Sequence, residues 1–508
     1  MNLIASTSIF SFFTLISRAL GYARDILIAI FLGTTLFADA FFVAFRLPNT
    51  FRRLFAEGTF NAAFIPSYAG ALTKNKKEAD DFAQNIFNLL FLILLFLVLL
   101  AEIFMPQLTF LIAPGFYKDP DKFRLAVDLS RITFPFLFFV CLASFFGAIL
   151  NSYNKFAAAA AAPIILNIIL ISALFFSKWF TTSDVVTLSY AVSLAGFIQL
   201  VVLLFFVRKI FQPILNIKIK INEQVRFFLK KLLPSIFSSG VTQINILVGT
   251  IIASFQTGAV SYLYYADRVY QINLAVAGIA VGTVMLPELS KYIKNKDMIK
   301  TSNLQNRSLE LSLFLSIPAT VGLVLASKEI ITSLFGYGSF DIQSVNNTAV
   351  ALTFFAFGVP AFSMLKIFSN FFFARNNTKT PFYLSLVSVT LNVLISISLF
   401  NKVGFIIIPI ATSISSWINV LLHLYFIKKR NLHNFDSKFT YKFTRILLSA
   451  VVMGIILYLL LGIFSDKFIY NESWKFIYLF IIVLISLFIY FFVSNFSGAF
   501  KFKDIKLR

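Results

Sequence analysis

The chain has 508 residues, 59% of them hydrophobic and only 13% charged, with 44 Lys and Arg against 22 Asp and Glu. A soluble domain is about 45–50% apolar and 25% charged, so this balance excludes a soluble globular enzyme and indicates an all-α polytopic membrane protein. The single Cys141 excludes a disulfide within the chain, and His423 and His433 lack metal-ligand spacing, so neither a metal nor a cofactor is expected.

Taking apolar runs of about 17–25 residues as spans, the sequence predicts about 14 transmembrane helices. In chain order they are 4–32, 36–69, 83–112, 132–150, 157–177, 185–207, 232–255, 262–289, 308–327, 347–373, 382–400, 405–427, 446–464 and 476–497. The second is too long for one straight helix, and Pro48 and Gly58 are the expected bends. The first run continues through Arg18 and Arg24 with no A-x-A site, so it does not read as a cleaved signal peptide.

The net charge of +22 invites a nucleic-acid reading, but its placement argues otherwise. Assigning loops alternately from an inside amino terminus puts 28 Lys and Arg inside and nine outside, with seven in the spans. That bias follows the positive-inside rule and predicts two cytoplasmic termini and no nucleic-acid partner.

A weak internal repeat is visible. Ser8-Ile9-Phe10 and Ser235-Ile236-Phe237 open spans one and seven, and Ala38-Asp39-Ala40 answers to Ala266-Asp267-Arg268. The predicted organisation is an N-terminal six-helix lobe (1–207), a basic, partly amphipathic cytoplasmic linker (208–231) and a C-terminal six-helix lobe (232–427). Two additional helices and a cytoplasmic tail (428–508) follow. Two lobes of the same topology are related by an axis along the membrane normal.

Seven basic residues fall inside the spans: Arg18, Arg24, Arg46, Arg52, Arg53, Arg268 and Lys366. Each costs roughly 2.5–3.5 kcal/mol at the bilayer centre on insertion scales. Five of them crowd into the first two spans, which points to a water-filled cavity and an anionic cargo. Arg18 and Asp25 are seven apart and share a face, while Arg24 projects about 120° away unless the helix bends at Gly21. Asp39, Arg46, Arg53 and Glu57 lie on one stripe, with Arg53 and Glu57 spaced as an i,i+4 pair, and Arg52 is on an adjacent face. Asp39 and Arg52 are expected to line the cavity, whereas Arg46 reads equally well as structural. In span eight, Tyr264 and Asp267 accompany Arg268, and Asp267 projects in a different direction. Arginine suits a diphosphate because its planar fork gives two parallel charge-assisted hydrogen bonds and stays protonated.

Enzyme signatures are thin. Asp119-Pro120-Asp121 resembles the Asp-x-Asp of metal-dependent sugar transferases but falls in a predicted outside loop, and no Walker-type phosphate loop exists. No catalytic residue is expected.

The runs Ser17-Arg18-Ala19-Leu20-Gly21-Tyr22-Ala23-Arg24-Asp25, Ala38 to Asn49 and Arg52-Arg53-Leu54-Phe55-Ala56-Glu57-Gly58 resemble the MurJ/MviN family of lipid II flippases. So do Tyr264 to Arg268, Gly282 to Pro287 and Ala374 to Pro381. The resemblance implies two lobes around a central cationic cavity in the bacterial cytoplasmic (inner) membrane. It implies export of undecaprenyl-diphosphate-linked peptidoglycan precursor (lipid II) from the inner to the outer leaflet. Carried over by position, it assigns diphosphate binding to Arg18, Arg24, Arg52 and Arg268. Ser17, Asp25, Asp39 and Tyr264 become cavity and supporting residues, and Arg53 and Glu57 the gate. Its implied partners are lipid II, membrane lipids and cell-wall synthesis proteins. Some members are thought to couple to sodium through carboxylates, but span seven here has no acid and Asn377 stands where many members have Asp. Sodium coupling is therefore not expected. The other readings weighed are a flippase for a different polyprenyl-diphosphate oligosaccharide, a multidrug exporter of the same superfamily, a membrane glycosyltransferase or polymerase, and a non-transporting scaffold.

Overall fold

The computed structural model describes residues 3–55, 59–179, 183–216, 222–433 and 435–500. Among them every regular element is a helix, as the composition predicted. Ten stretches are long and apolar enough to cross a membrane, and one of these, Lys379–Lys429, is two helices joined at Gly404, where φ is 72°. The described chain forms two compact units, Met1–Ser261 and Tyr262–Arg508.

The first unit contains α1 (Leu3–Leu32), α2 (Leu36–Phe55), α3 (Thr59–Leu72), α4 (Lys76–Ile103), α5 (Met105–Ile112), α6 (Pro120–Thr133), α7 (Phe136–Ser152), α8 (Phe156–Phe176), α9 (Asp184–Val207) and α10 (Glu223–Ala253). The chain continues through Pro48 inside α2, while the expected bend at Gly58 lies outside the described residues. α1 packs on α8, α8 and α7 on α9, and α2 on α6. Phe228 of α10 is buried among Phe60, Phe64 and Phe82 at ring separations of 5.6, 6.2 and 6.1 Å. Such edge-on pairs contribute about 0.5–1.5 kcal/mol each beyond their burial. Residues 211–216 of the linker carry no helix and are bound to α4. Gln84 exchanges two hydrogen bonds with the backbone of Ile214, and Asn88 Oδ1 accepts from Asn216 N at 3.2 Å.

α11 (Ala259–Leu274) crosses the unit boundary and runs through a π turn, Ala275–Ala280, into α12 (Val281–Lys294). The second unit continues with α13 (Met298–Leu325), α14 (Ser327–Phe335), α15 (Ile342–Ala356), α16 (Val359–Phe373), α17 (Lys379–Val403), α18 (Ile407–Lys429), α19 (Ser437–Ile463) and α20 (Lys475–Ser497). α13 is its spine, packed by α12, α15, α16 and α19. Tyr490 of α20 donates to Phe314 O at 2.8 Å, and Lys442 of α19 meets Glu310 at 2.7 Å, so α19 and α20 are fastened to α13.

Helix lengths run 28, 8, 14, 17, 21 and 24 residues from α4 to α9, and 28, 9, 15, 15, 25 and 23 from α13 to α18. Two stretches read as outside loops, 113–131 and 327–346, are instead largely helical. α6 and α15 start there, capped by Asp119 Oδ1 on Lys122 N (3.2 Å) and Asp341 Oδ1 on Ser344 N (2.7 Å). These helices begin with polar turns, so hydropathy alone does not register them, but a side-chain oxygen satisfying an orphan N–H does start them. Asp119 is thereby accounted for as a cap.

Candidate functional site

In the first unit Arg24 is 5% exposed and Asp25 2%. The guanidinium uses two nitrogens on one carboxylate oxygen, Nη2 to Asp25 Oδ1 at 2.7 Å and Nε at 3.0 Å. Its Nη1 donates to Asn167 Oδ1 of α8 at 3.0 Å, and Asn167 Nδ2 donates to the Ser17 carbonyl at 2.9 Å. Ser17, Arg24 and Asp25 are thus brought together by an asparagine that the sequence reading did not single out. Its signal was a lone amide in the apolar run of α8. This ordering fixes the fork of a buried cation without consuming its whole donor set. Arg18, on one α1 face with Asp25 by spacing, is exposed.

On α2, Arg46, Arg52 and Arg53 are half-buried, and Arg52 Nε donates to Asn49 Oδ1 at 2.9 Å. Glu57, the proposed partner of Arg53, lies outside the described residues.

Asp39, expected to line a cavity, has no exposed surface and four donors. Oδ2 accepts from Lys122 Nζ at 2.7 Å and Gly258 N at 2.8 Å, while Oδ1 accepts from Ser261 Oγ at 2.7 Å and Ser261 N at 3.0 Å. The carboxylate therefore ties α2, α6 and the turn before α11 together. Lys122 was counted among outside-loop charges; it is 4% exposed and also lies 4.1 Å from the Phe116 ring centroid. The four donors satisfy both oxygens of this buried carboxylate, and the Lys122 ammonium finds its counter-charge in it. Close by, Gly115 N donates to Ser254 Oγ at 2.9 Å, and any Cβ at Gly115 would sit 2.4 Å from the backbone of Ser254 and Phe255.

In the second unit Arg268 Nη2 donates to Tyr264 OH at 3.1 Å, with the guanidinium 5.1 Å from that ring's centroid. Asp267 accepts from Gln271 one turn on, consistent with its different direction. Lys366 is exposed on α16, which packs against the π turn.

The two histidines are structural in placement. His423 is buried against Asn419 O at 3.0 Å, and His433 sits between Gln305 Oε1 and Asn306 Oδ1, both at 2.9 Å. Burial pushes the His433 imidazole down to about 4, with Asp436 opposing and Arg375 adding to the shift. The folded state then binds its proton less readily than the unfolded chain does. Its contribution to stability is constant above pH ~6.5 and declines as pH falls from there toward 4. In detergent, His433→Gln is expected to flatten the fall of the thermal midpoint between pH 6.5 and 4; an unchanged slope would refute this.

The sequence model of the family described as "Lipid II flippase MurJ" matches residues 28–491. A "Probable lipid II flippase MurJ" from Rickettsia prowazekii (strain Madrid E) is 38% identical over 474 residues, 93% of each chain. Another so named, from Rhizobium meliloti (strain 1021), is 40% identical over 88% of this chain and 84% of its own length. The solved structure "Lipid II flippase MurJ, inward closed conformation" superposes with a TM-score of 0.82 at 30% identity, covering 96% of this chain and 98% of that one. An inward-facing multidrug resistance MATE transporter shares the fold, with a TM-score of 0.67 at 14% identity over 82% of this chain and 94% of its own. With the family model matching residues 28–491 and relatives and a solved structure matched over nearly the whole length, the chain belongs to the lipid II flippase MurJ family.

Proposed function

We propose that this chain moves lipid II, the undecaprenyl-diphosphate-linked peptidoglycan precursor, from the inner to the outer leaflet of the bacterial inner membrane. It acts as a transporter, by alternating access of its two halves. The diphosphate is held by Arg18, Arg24 and Arg52 of the first unit and Arg268 of the second, with Ser17, Asp25 and Tyr264 in support. Arg53 and Glu57 serve as a gate. Asp39 supports the site by anchoring the turn that leads into α11. Fourteen spans, cytoplasmic termini and two six-helix lobes with an appended pair complete this reading.

The observation that carries it is the buried Arg24, fixed by Asp25 and Asn167 in an otherwise apolar helix pair. Keeping this ion pair out of water is a standing desolvation cost that the Asp25 contact repays only in part. A cargo with two phosphate charges offsets it. Depleting the protein in its own cells is expected to accumulate lipid II in the inner leaflet. Complementation with Arg18→Ala, Arg24→Ala, Arg52→Ala or Arg268→Ala at normal abundance is expected to fail. Growth restored by all four would overturn the assignment, and accumulation of a different polyprenyl-diphosphate sugar would redirect it to that substrate.

A further inference from the structure

A buried lysine stands at the start of α20, and the diphosphate reading makes no use of it. Lys475 is 1% exposed. Its Nζ donates to the carbonyl oxygens of Gly336 at 2.7 Å and Tyr470 at 2.6 Å, and lies 3.9 Å from the Tyr337 ring centroid. Among the described residues it joins no ion pair. A buried ammonium costs several kcal/mol unless its donors are met; here two carbonyls and a π face meet them.

The segment it grips, residues 336–341, is bound from several sides. Tyr470 OH donates to Phe340 O at 2.9 Å, Tyr337 OH to Ser333 O at 3.1 Å, and Asp341 caps α15. Phe335 just before this segment and Phe340 within it are both fully buried and pack on Tyr265 of α11 at 5.1 and 5.2 Å. Tyr265 itself has no exposed surface, and its neighbour Tyr264 receives Arg268. A continuous packed path therefore runs from the appended helix to the arginine.

We propose that Lys475 is a positioning residue for headgroup recognition. By fixing the 336–341 segment it fixes Tyr265, and with it the turn of α11 that presents Tyr264 and Arg268. This rests on the reading of Arg268 as a diphosphate ligand. The first unit meets the same need internally, since Lys122 of α6 stacks on Phe116 of its own 113–119 segment. In the second unit the lysine comes from the last helix of the appended pair, which gives α20 a role in recognition.

The test uses the purified full-length protein, with farnesyl diphosphate as the probe and farnesol as its uncharged control. Lys475→Met is expected to weaken farnesyl diphosphate binding 5- to 20-fold and leave farnesol binding unchanged, with Lys475→Arg recovering part of the loss. In an Arg268→Ala background the same substitution is expected to add no further loss. With 3-fluorotyrosine incorporated, the Tyr265 fluorine resonance, assigned by its disappearance in Tyr265→Phe, is expected to shift or broaden in Lys475→Met. Tyr470→Phe, which keeps the ammonium and removes only the hydroxyl bond, should act in the same direction more weakly. An unmoved Tyr265 resonance, or a loss that adds in full to that of Arg268→Ala, would overturn the proposal. If Arg268→Ala alone leaves binding intact, the diphosphate reading fails, and the fluorine signal still decides the positioning role.

Discussion

Asp39→Ala is expected to lower the thermal midpoint by on the order of 10 °C. The substitution leaves the Lys122 ammonium buried with no counter-charge and strips Ser261 and Gly258 of their acceptor. Removing one partner of a buried pair costs about 3–5 kcal/mol, and a unit of this size shifts by roughly 2–4 °C per kcal/mol. Adding Lys122→Met to Asp39→Ala is expected to recover most of the loss, because the stranded charge goes with it. The midpoint is read by differential scanning fluorimetry in detergent. A single variant as stable as the parent would show that the pair does not hold α2, α6 and the turn before α11. A stable double variant that fails to complement would place the network in the transport cycle itself.

The second large effect is expected on transport. Arg24→Lys keeps the charge but loses the fork that meets Asp25 through two nitrogens and Asn167 through the third. Losing one charge-assisted bond at about 1.5–3 kcal/mol predicts a fall of roughly 10- to 150-fold in lipid II reaching the outer leaflet. The measurement is accessibility of lipid II to an external enzyme in depleted, complemented cells. Asn167→Ala should act in the same direction and less, since it frees Nη1 and the Ser17 carbonyl but leaves the Asp25 contact. Full transport by Arg24→Lys would mean that a point charge suffices and the fork is immaterial.

Much of the fold was legible in the sequence because a bilayer imposes one rule on every span. The run expected at 4–32 is the helix Leu3–Leu32, 185–207 is Asp184–Val207, and 476–497 is Lys475–Ser497. Errors collect where helices leave the apolar slab. The third span was placed at 83–112, yet α4 begins at Lys76, behind an Asn75 cap that accepts from Glu78 N at 2.7 Å. Hydropathy reads the membrane's demand, whereas a cap reads the chain's own.

The site was legible as a list of costly charges but not as a set of partners. Asp39 and Lys122 are 83 residues apart, and Arg24 and Asn167 are 143 apart. Nothing in a one-dimensional pattern tells a carboxylate which lysine will reach it. Lys122 reads as a solvated loop charge, and only the packing of α2 on α6 makes it a buried counter-ion. The stripe on α2 likewise suggests Asp39 as a cavity-lining carboxylate, when four donors from outside its own helix enclose it.

The π turn at Ala275–Ala280 has a consequence for evolution and engineering alike. Such a turn houses one residue more than an α-turn, and each residue advances the helix by about 100°. Deleting the surplus residue would restore an α-turn and keep Tyr264 and Arg268 in phase with the α12 face seated on α13 and α16, whereas a deletion elsewhere in α11 would swing them by that angle. The π turn is thus a slot where one residue can be lost without turning the arginine, a tolerance that the α-turns on either side do not share.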